Sequence, residues 1–164
     1  MFTIRPTTSK DIGQVDTLLA RSYPRLLKGD YPASILVMAL PLISRAQPDL
    51  ITSGTYYGVE HAGRLLGAGG WTVAAPGGGA VTRGVGHIRH VATDPDTTRQ
   101  GVGRALMDHI LATAQAQGLR RMMCLSTRTA EPFYTAMGFE TGTKVTVPLG
   151  PGIDFPAVEM SRAL

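Results

Sequence analysis

His87 to Arg104, HIRHVATDPDTTRQGVGR, is the stretch whose reading decides the fold. It completes a strand, Val85 to Thr93, with apolar Ile88, Val91 and Ala92. Asp94-Pro95 ends that strand, because proline offers no N–H to a ladder and restrains the residue before it. A helix is predicted from about Gln100 to Gln117. Val102, Leu106, Ile110 and Ala114 fall four apart, with Ala105 beside them, so one face can pack on a sheet. Gly118 stands where a left-handed residue commonly stops a helix.

The chemistry of this junction lies in Gly101 and Gly103. A helix start has unpaired N–H groups and the positive end of the dipole, so it attracts anions. Each glycine costs about 0.8–1 kcal/mol against alanine inside a helix, which makes sense where something must approach the backbone. Arg99 and Arg104 flank the turn, and together these residues describe a cradle for a pyrophosphate. The P-loop pattern GxxxxGK followed by Ser or Thr is absent, and the dinucleotide fingerprint GxGxxG would need a small residue where Leu106 stands. The alternative is that both glycines only let the helix pack tightly on the strand.

RQGVGRALM after a strand ending in VATDP resembles the acetyl-CoA motif of the GNAT N-acetyltransferase superfamily. That motif runs Gln or Arg, two residues, Gly, any residue, then Gly or Ala. AEPFYTAMGFE downstream resembles the second family signature, a small helix that carries a tyrosine and ends in Gly-Phe. The likeness covers Thr3 to Glu159, with one departure: Thr98 stands where the motif has Gln or Arg. The resemblance implies an α/β (α+β) fold with a mixed, mostly antiparallel sheet, splayed at its central strand and flanked by about four helices. It also implies that acetyl-CoA is the co-substrate.

At 164 residues the chain is expected to be one domain, 1–164, with a substantial core. The N-terminus MFTIRPTTSKD has no apolar run behind a basic start, so no signal peptide is expected. The longest apolar stretch, Ile35 to Ile43, has nine residues and a proline, too few to span a membrane. A single cysteine, Cys124, excludes an intrachain disulfide, suits the cytoplasm, and reads as a buried strand position. The net charge of +4 matches the surplus between Arg83 and Arg128, seven arginines against three aspartates. Basic regions can bind nucleic acid. With no aromatic platform or recognition helix here, a phosphate-rich cofactor is the better reading and nucleic acid is not expected as a partner.

The rest of the chain punctuates clearly. Phe2 to Arg5 is a short strand; Thr8 caps a helix with Asp11 three residues on, and Pro24 follows its end. Tyr31 to Arg45 reads as a second helix that Pro41 kinks or splits. It is apolar nearly all round, so it is buried, lines an acceptor pocket, or forms a homodimer contact. Ser53–Glu60 and Arg64–Ala74 form a hairpin, and Gly67, Gly69 and Gly70 suggest a bulge or a close approach. Trp71 reads equally as core or pocket wall. Arg121 to Thr127 is a buried strand, Thr129 a helix cap with Pro132 in the first turn, and Thr143 to Leu149 and Pro156 to Met160 are the last strands. The order is β-α-α-β-β-β-α-β-α-β-β.

Acetyl transfer to an amine requires a held cofactor, a deprotonated amine and a stabilised thiolate. The resemblance points to the main chain of Val91, Ala92 and Thr93 for the pantetheine arm, since a splayed strand edge offers unpaired amides. It points to Arg99, Gln100, Gly101, Val102, Gly103 and Arg104 for the pyrophosphate. Tyr134 matches the family's general-acid tyrosine, with packing alone as its alternative; Phe133 beside it is expected to bind the cofactor, and so is Thr127, which stands where relatives often have a cofactor-binding asparagine. Some relatives place a glutamate base four residues before the position of Val91, which here is His87. An imidazole suits proton acceptance near neutrality, and water or another carboxylate is the alternative. On a regular strand Arg89 shares the face of His87 and His90 points to the other side. His109 reads as a packing residue, and no metal site is expected. The acceptor is a small-molecule or peptide amine, and no membrane partner is expected. A CoA-binding module without turnover is the alternative from another class.

Overall fold

In the computed structural model, which describes residues 1–164, β4 (Val85–Thr93) is the middle strand of a seven-stranded sheet. The sheet order is β1 (Thr3–Pro6), β2 (Tyr56–His61), β3 (Arg64–Thr72), β4, β5 (Arg121–Ser126), β7 (Ile153–Ala163), β6 (Glu140–Gly150). Every pair is antiparallel except β4 with β5. Parallel neighbours need a crossover, and α4 (Val102–Ala116) supplies it. Its buried residues are the predicted Val102, Leu106, Ile110 and Ala114 together with Met107 and Leu111, so the apolar stripe is wider than the four-residue spacing alone indicated.

β4 and β5 meet over only three pairs, Val85 with Arg121, Gly86 with Met122 and His87 with Met123. Beyond His87 they diverge. Ile88, Met122 and Cys124 face α4 and α5 (Glu131–Ala136) in one core, with Tyr57 and Trp71. The Trp71 indole N–H donates to Thr113 Oγ1 at 3.0 Å, which makes it a core residue rather than a pocket wall. Val15, Leu18 and Leu19 of α1 (Ile12–Leu27) and Leu50 and Ile51 of α3 (Pro48–Ile51) form a second core with Ala68 and Ala92. α2 (Ala33–Ile43) packs through Leu36 and Ala39 on Phe155 of β7. No helix is long and apolar enough to cross a membrane.

The glycines of β3 do mark a bulge. The register with β4 shifts between Ala68 and Gly70, and His90 opposite has φ of 52°. A Cβ on Gly70 would lie 2.1 Å from the Thr55 carbonyl oxygen, so only glycine fits. The extra residue also corrects the expected orientation of His90. Its Nε2 lies 2.8 Å from the Ile43 carbonyl, and its ring lies beside Tyr23 of α1, on the same side as Arg89. A carbonyl only accepts, so this nitrogen carries the proton. Two phenols fix the bulge: Tyr56 donates to the His90 carbonyl at 2.8 Å and Tyr23 to the Val91 carbonyl at 3.2 Å. Burial raises both phenol pKa values, which keeps the donors protonated.

Other boundaries move for local reasons. Pro24 lies inside α1, because Leu27 is buried against α2 and carries the helix one turn further. Pro41 lies inside an unbroken α2. The one-turn α3 was not anticipated, and β6 and β7 are each eleven residues long, beyond the alternating segments that were legible.

The two kinds of glycine predict opposite outcomes in thermal melts. Gly70→Ala should lower Tm by well over the ~2–4 °C that 1 kcal/mol moves a chain of this size. Gly13→Ala in α1, where a Cβ meets nothing within 4 Å, should raise Tm by a few degrees, since alanine gains roughly 0.5–1 kcal/mol over glycine in a helix.

Candidate functional site

The loop between β4 and α4 is anchored before it becomes a site. Asp94 is buried, and its carboxylate accepts from the Asp96 N–H at 2.9 Å. Arg21 of α1 reaches Asp94 at 3.0 Å and Asp96 at 2.6 Å, Arg25 reaches Asp96 at 3.0 Å, and Arg64 of β3 also holds Asp94. From this base the chain turns through left-handed residues at Arg99 (φ 65°) and Gly101 (φ 83°). Successive N–H groups in such turns point inward and form an anion-binding concavity. The first helical bond runs from the Ala105 N–H to the Gly101 carbonyl. The N–H groups of Val102, Gly103 and Arg104 therefore precede the helix ladder and remain available. Thr98, Arg99, Gln100, Gly101 and Arg104 are exposed.

The two glycines are required for different reasons, and tight packing accounts for Gly103 alone. Gly101 has open space around a built Cβ, so its left-handed backbone is what requires glycine. A Cβ on Gly103 would sit 3.2 Å from the Phe133 ring and 3.6 Å from the Thr93 methyl. That close approach brings α4, α5 and the end of β4 together and places Phe133 and Thr93 beside the nest.

From the nest, Thr93, Ala92 and Val91 lead back along the edge of β4 that β5 no longer pairs. At the fork, opposite faces carry different chemistry. Tyr134 lies on the α4–α5 side, 5% exposed, with Phe133 and Phe139 edge-on at 5.3 and 5.4 Å. Burial first, and the neighbouring Cys124 second, raise the Tyr134 phenol pKa well above its ordinary value, so the hydroxyl stays protonated. Cys124 is itself buried and its thiol is pushed up to about 12, consistent with an inert structural cysteine. Thr127 Oγ1 accepts the Ala130 N–H at 3.1 Å, leaving its own O–H to donate elsewhere. Thr129, the expected cap, instead has a buried hydroxyl without a partner.

His87 lies on the other face, half-buried, and its ring makes no hydrogen bond. Burial lowers its pKa, and the positive charge of Arg89 lowers it further, so the imidazole is neutral at pH 7. Arg89 turns away, donating to Thr72 Oγ1 at 3.0 Å and Gln47 Oε1 at 3.3 Å. His87 lines a cleft of about 150 Å³ with Ile88, Met123, Cys124 and Leu125. Glu159 of β7 also lines it and was missed by sequence reading. The available signal was a lone carboxylate between the apolar Val158 and Met160; its meaning required the register of Leu125 with Glu159. His109, as expected, packs, edge-on to Tyr57 at 4.6 Å.

Along β4 there follow an anion nest, a free strand edge and a fork with a buried phenol on one face and a neutral imidazole on the other. The family model described as the Acetyltransferase (GNAT) family matches residues 19–139. Among curated relatives, an amino-acid acetyltransferase of Ralstonia nicotianae is 38% identical over 65 residues, 40% of this chain and 14% of that protein. A glucosamine 6-phosphate N-acetyltransferase of Trypanosoma brucei brucei is 33% identical over 57 residues, 35% of this chain and 39% of that protein. The matches thus span well under two thirds of these relatives. Among solved structures, a GCN5-related N-acetyltransferase from Rhodopseudomonas palustris superposes with a TM-score of 0.80 at 20% identity, covering 99% of this chain and 95% of that one. The PaiA N-acetyltransferase from Thermoplasma acidophilum, solved with coenzyme A, gives 0.75 at 13% identity, covering 100% and 99%. With the family match extending over well more than half of its length, the chain belongs to the GNAT acetyltransferase family.

Proposed function

We propose that the chain is an acetyl-CoA-dependent N-acetyltransferase that acts on a primary amine, of a small molecule or a peptide, by direct attack within a ternary complex. The observation that carries this is the fork between β4 and β5: beyond His87 the edge of β4 is free as far as the left-handed turn at Arg99 and Gly101, with His87 and Tyr134 on its two faces. Family membership and the coenzyme A bound by the Thermoplasma relative support the choice of cofactor.

The nest and its arginines take the pyrophosphate, while main-chain groups of Val91, Ala92 and Thr93 pair with the amides of the pantetheine arm as another strand would. Phe133 and Thr127 flank that arm. An ammonium gives one proton to His87, and the neutral amine attacks the thioester carbonyl carbon. The C–N bond forms as the C–S bond breaks, Tyr134 protonates the leaving sulfur, and the excess amide proton returns through water to Tyr134.

Each role has its own readout. Gly101→Asp and Gly101→Asn both tolerate the left-handed backbone, since short polar side chains visit it most readily. Calorimetry should show acetyl-CoA affinity at least ten-fold weaker for the aspartate than for the asparagine; equal affinities would remove the nest from pyrophosphate binding. Tyr134→Phe removes only the hydroxyl, so kcat should fall by at least ten-fold while acetyl-CoA affinity changes little. An unchanged kcat with acetyl transfer limiting would assign the ring to packing.

The pH profile tests the base. A base whose pKa is lowered below the ordinary ~6.5 loses its function only as pH falls through the lowered value. The acidic limb of kcat/KM should therefore lie below that value and vanish in His87→Gln. In Arg89→Met the limb should move up in pH, because the like charge is gone. A limb that ignores both substitutions and tracks the basicity of the acceptor would leave His87 without a catalytic role.

A further inference from the structure

On the acceptor side of the fork, β4, β5 and β7 present one continuous row of side chains. Met122, Cys124, Val158 and Met160 face the α4–α5 core, so their alternates Met123, Leu125 and Glu159 face the opposite side. His87 pairs with Met123 and joins that face. Leu125 is 40% exposed and Glu159 is exposed, so no helix covers this part of the sheet. Glu159 makes no ion pair, and its carboxylate has no hydrogen-bond partner within the chain. Two strand spacings and two residues of rise separate it from His87, on the order of 10 Å between backbones, which leaves room for a small molecule between the side chains.

The other side chains on this face of the cleft are apolar, Ala75, Pro76, Met123 and Leu125, while Ile88 and Cys124 turn theirs into the α4–α5 core. No cation lines it. Arg89, the nearest along β4, is committed to Thr72 and Gln47. An unpartnered carboxylate over an apolar floor attracts a cation and repels a second anion. We infer that Glu159 is the acceptor-recognition group, and that the acceptor is a small aliphatic amine without a carboxylate or phosphate of its own; this rests on the acetyltransferase reading above. Glu159 holds the ammonium at the mouth, the hydrocarbon lies on Met123 and Leu125, and His87 receives the proton. The same feature selects against free amino acids and sugar phosphates, whose anionic groups meet Glu159 with no arginine among the cleft's walls; Arg121, on the same face of β5, is turned to Ser161 Oγ at 3.3 Å.

A matched set of probes isolates the charge: 3-methylbutylamine, leucinamide and leucine share one carbon skeleton and differ in having hydrogen, a neutral amide or a carboxylate. Thiol release from acetyl-CoA should show kcat/KM for 3-methylbutylamine at least 100-fold above leucine, with leucinamide between them. The leucine amine is the less basic, so basicity alone would favour leucine. Glu159→Gln should reduce kcat/KM for 3-methylbutylamine at least ten-fold, carried by KM, with acetyl-CoA affinity and Tm unchanged. Glu159→Lys should narrow or invert the preference over leucine. Preference for leucine, indifference to both substitutions, or acetyl-CoA binding without turnover of any of the three probes would overturn the inference. Failure to bind acetyl-CoA would overturn the acetyltransferase reading instead.

Discussion

Three residue pairs hold β4 to β5, and the architecture follows from where that pairing stops. A full ladder would close the sheet and leave neither a free edge for an amide-bearing ligand nor a passage between the two faces. A shorter one would leave the crossover helix α4 with no sheet to pack on. The divergence is sustained from both sides. The bulge at His90, tied by Tyr56 and Tyr23, turns β4 away, while the antiparallel register with β7 holds β5 in place. The site is a consequence of incomplete pairing, maintained by bonds that lie behind it.

Much of this was legible in the sequence because local rules and tertiary demands agreed there. β4 was anticipated to its last residue, since Asp94-Pro95 ends the strand whatever surrounds it. The helix after the glycines, the order of elements apart from the one-turn α3, and the bulge suggested by clustered glycines were read from periodicity and punctuation alone. The family resemblance carried the naming of individual roles, which spacing could not have supplied.

What was not legible required knowledge of neighbours. His90 was assigned to the wrong face because one extra residue shifts every later side chain, and the sequence does not say which residue is extra. Pro24 and Pro41 stayed inside helices because buried contacts at Leu27, Leu36 and Ala39 outweigh a missing hydrogen bond. Glu159 was passed over for a related reason. It lies seventy-two positions from His87 in the chain, and only the register through β5 brings the two into one cleft.

The ties of Asp94 and Asp96 to α1 and β3 also govern the electric field at the nest. Taken alone, the turn into α4 begins with two carboxylates immediately before a helix start with free N–H groups, whose positive field they would oppose. Arg21, Arg25 and Arg64 cancel that field at its source, so Arg99, Arg104 and the helix N-terminus act without opposition. The positive field at the nest is thus preserved by residues of α1 and β3 that are distant from it in sequence. The positive surplus counted between Arg83 and Arg128 understates the potential at the nest, because the neutralising charges lie outside that window.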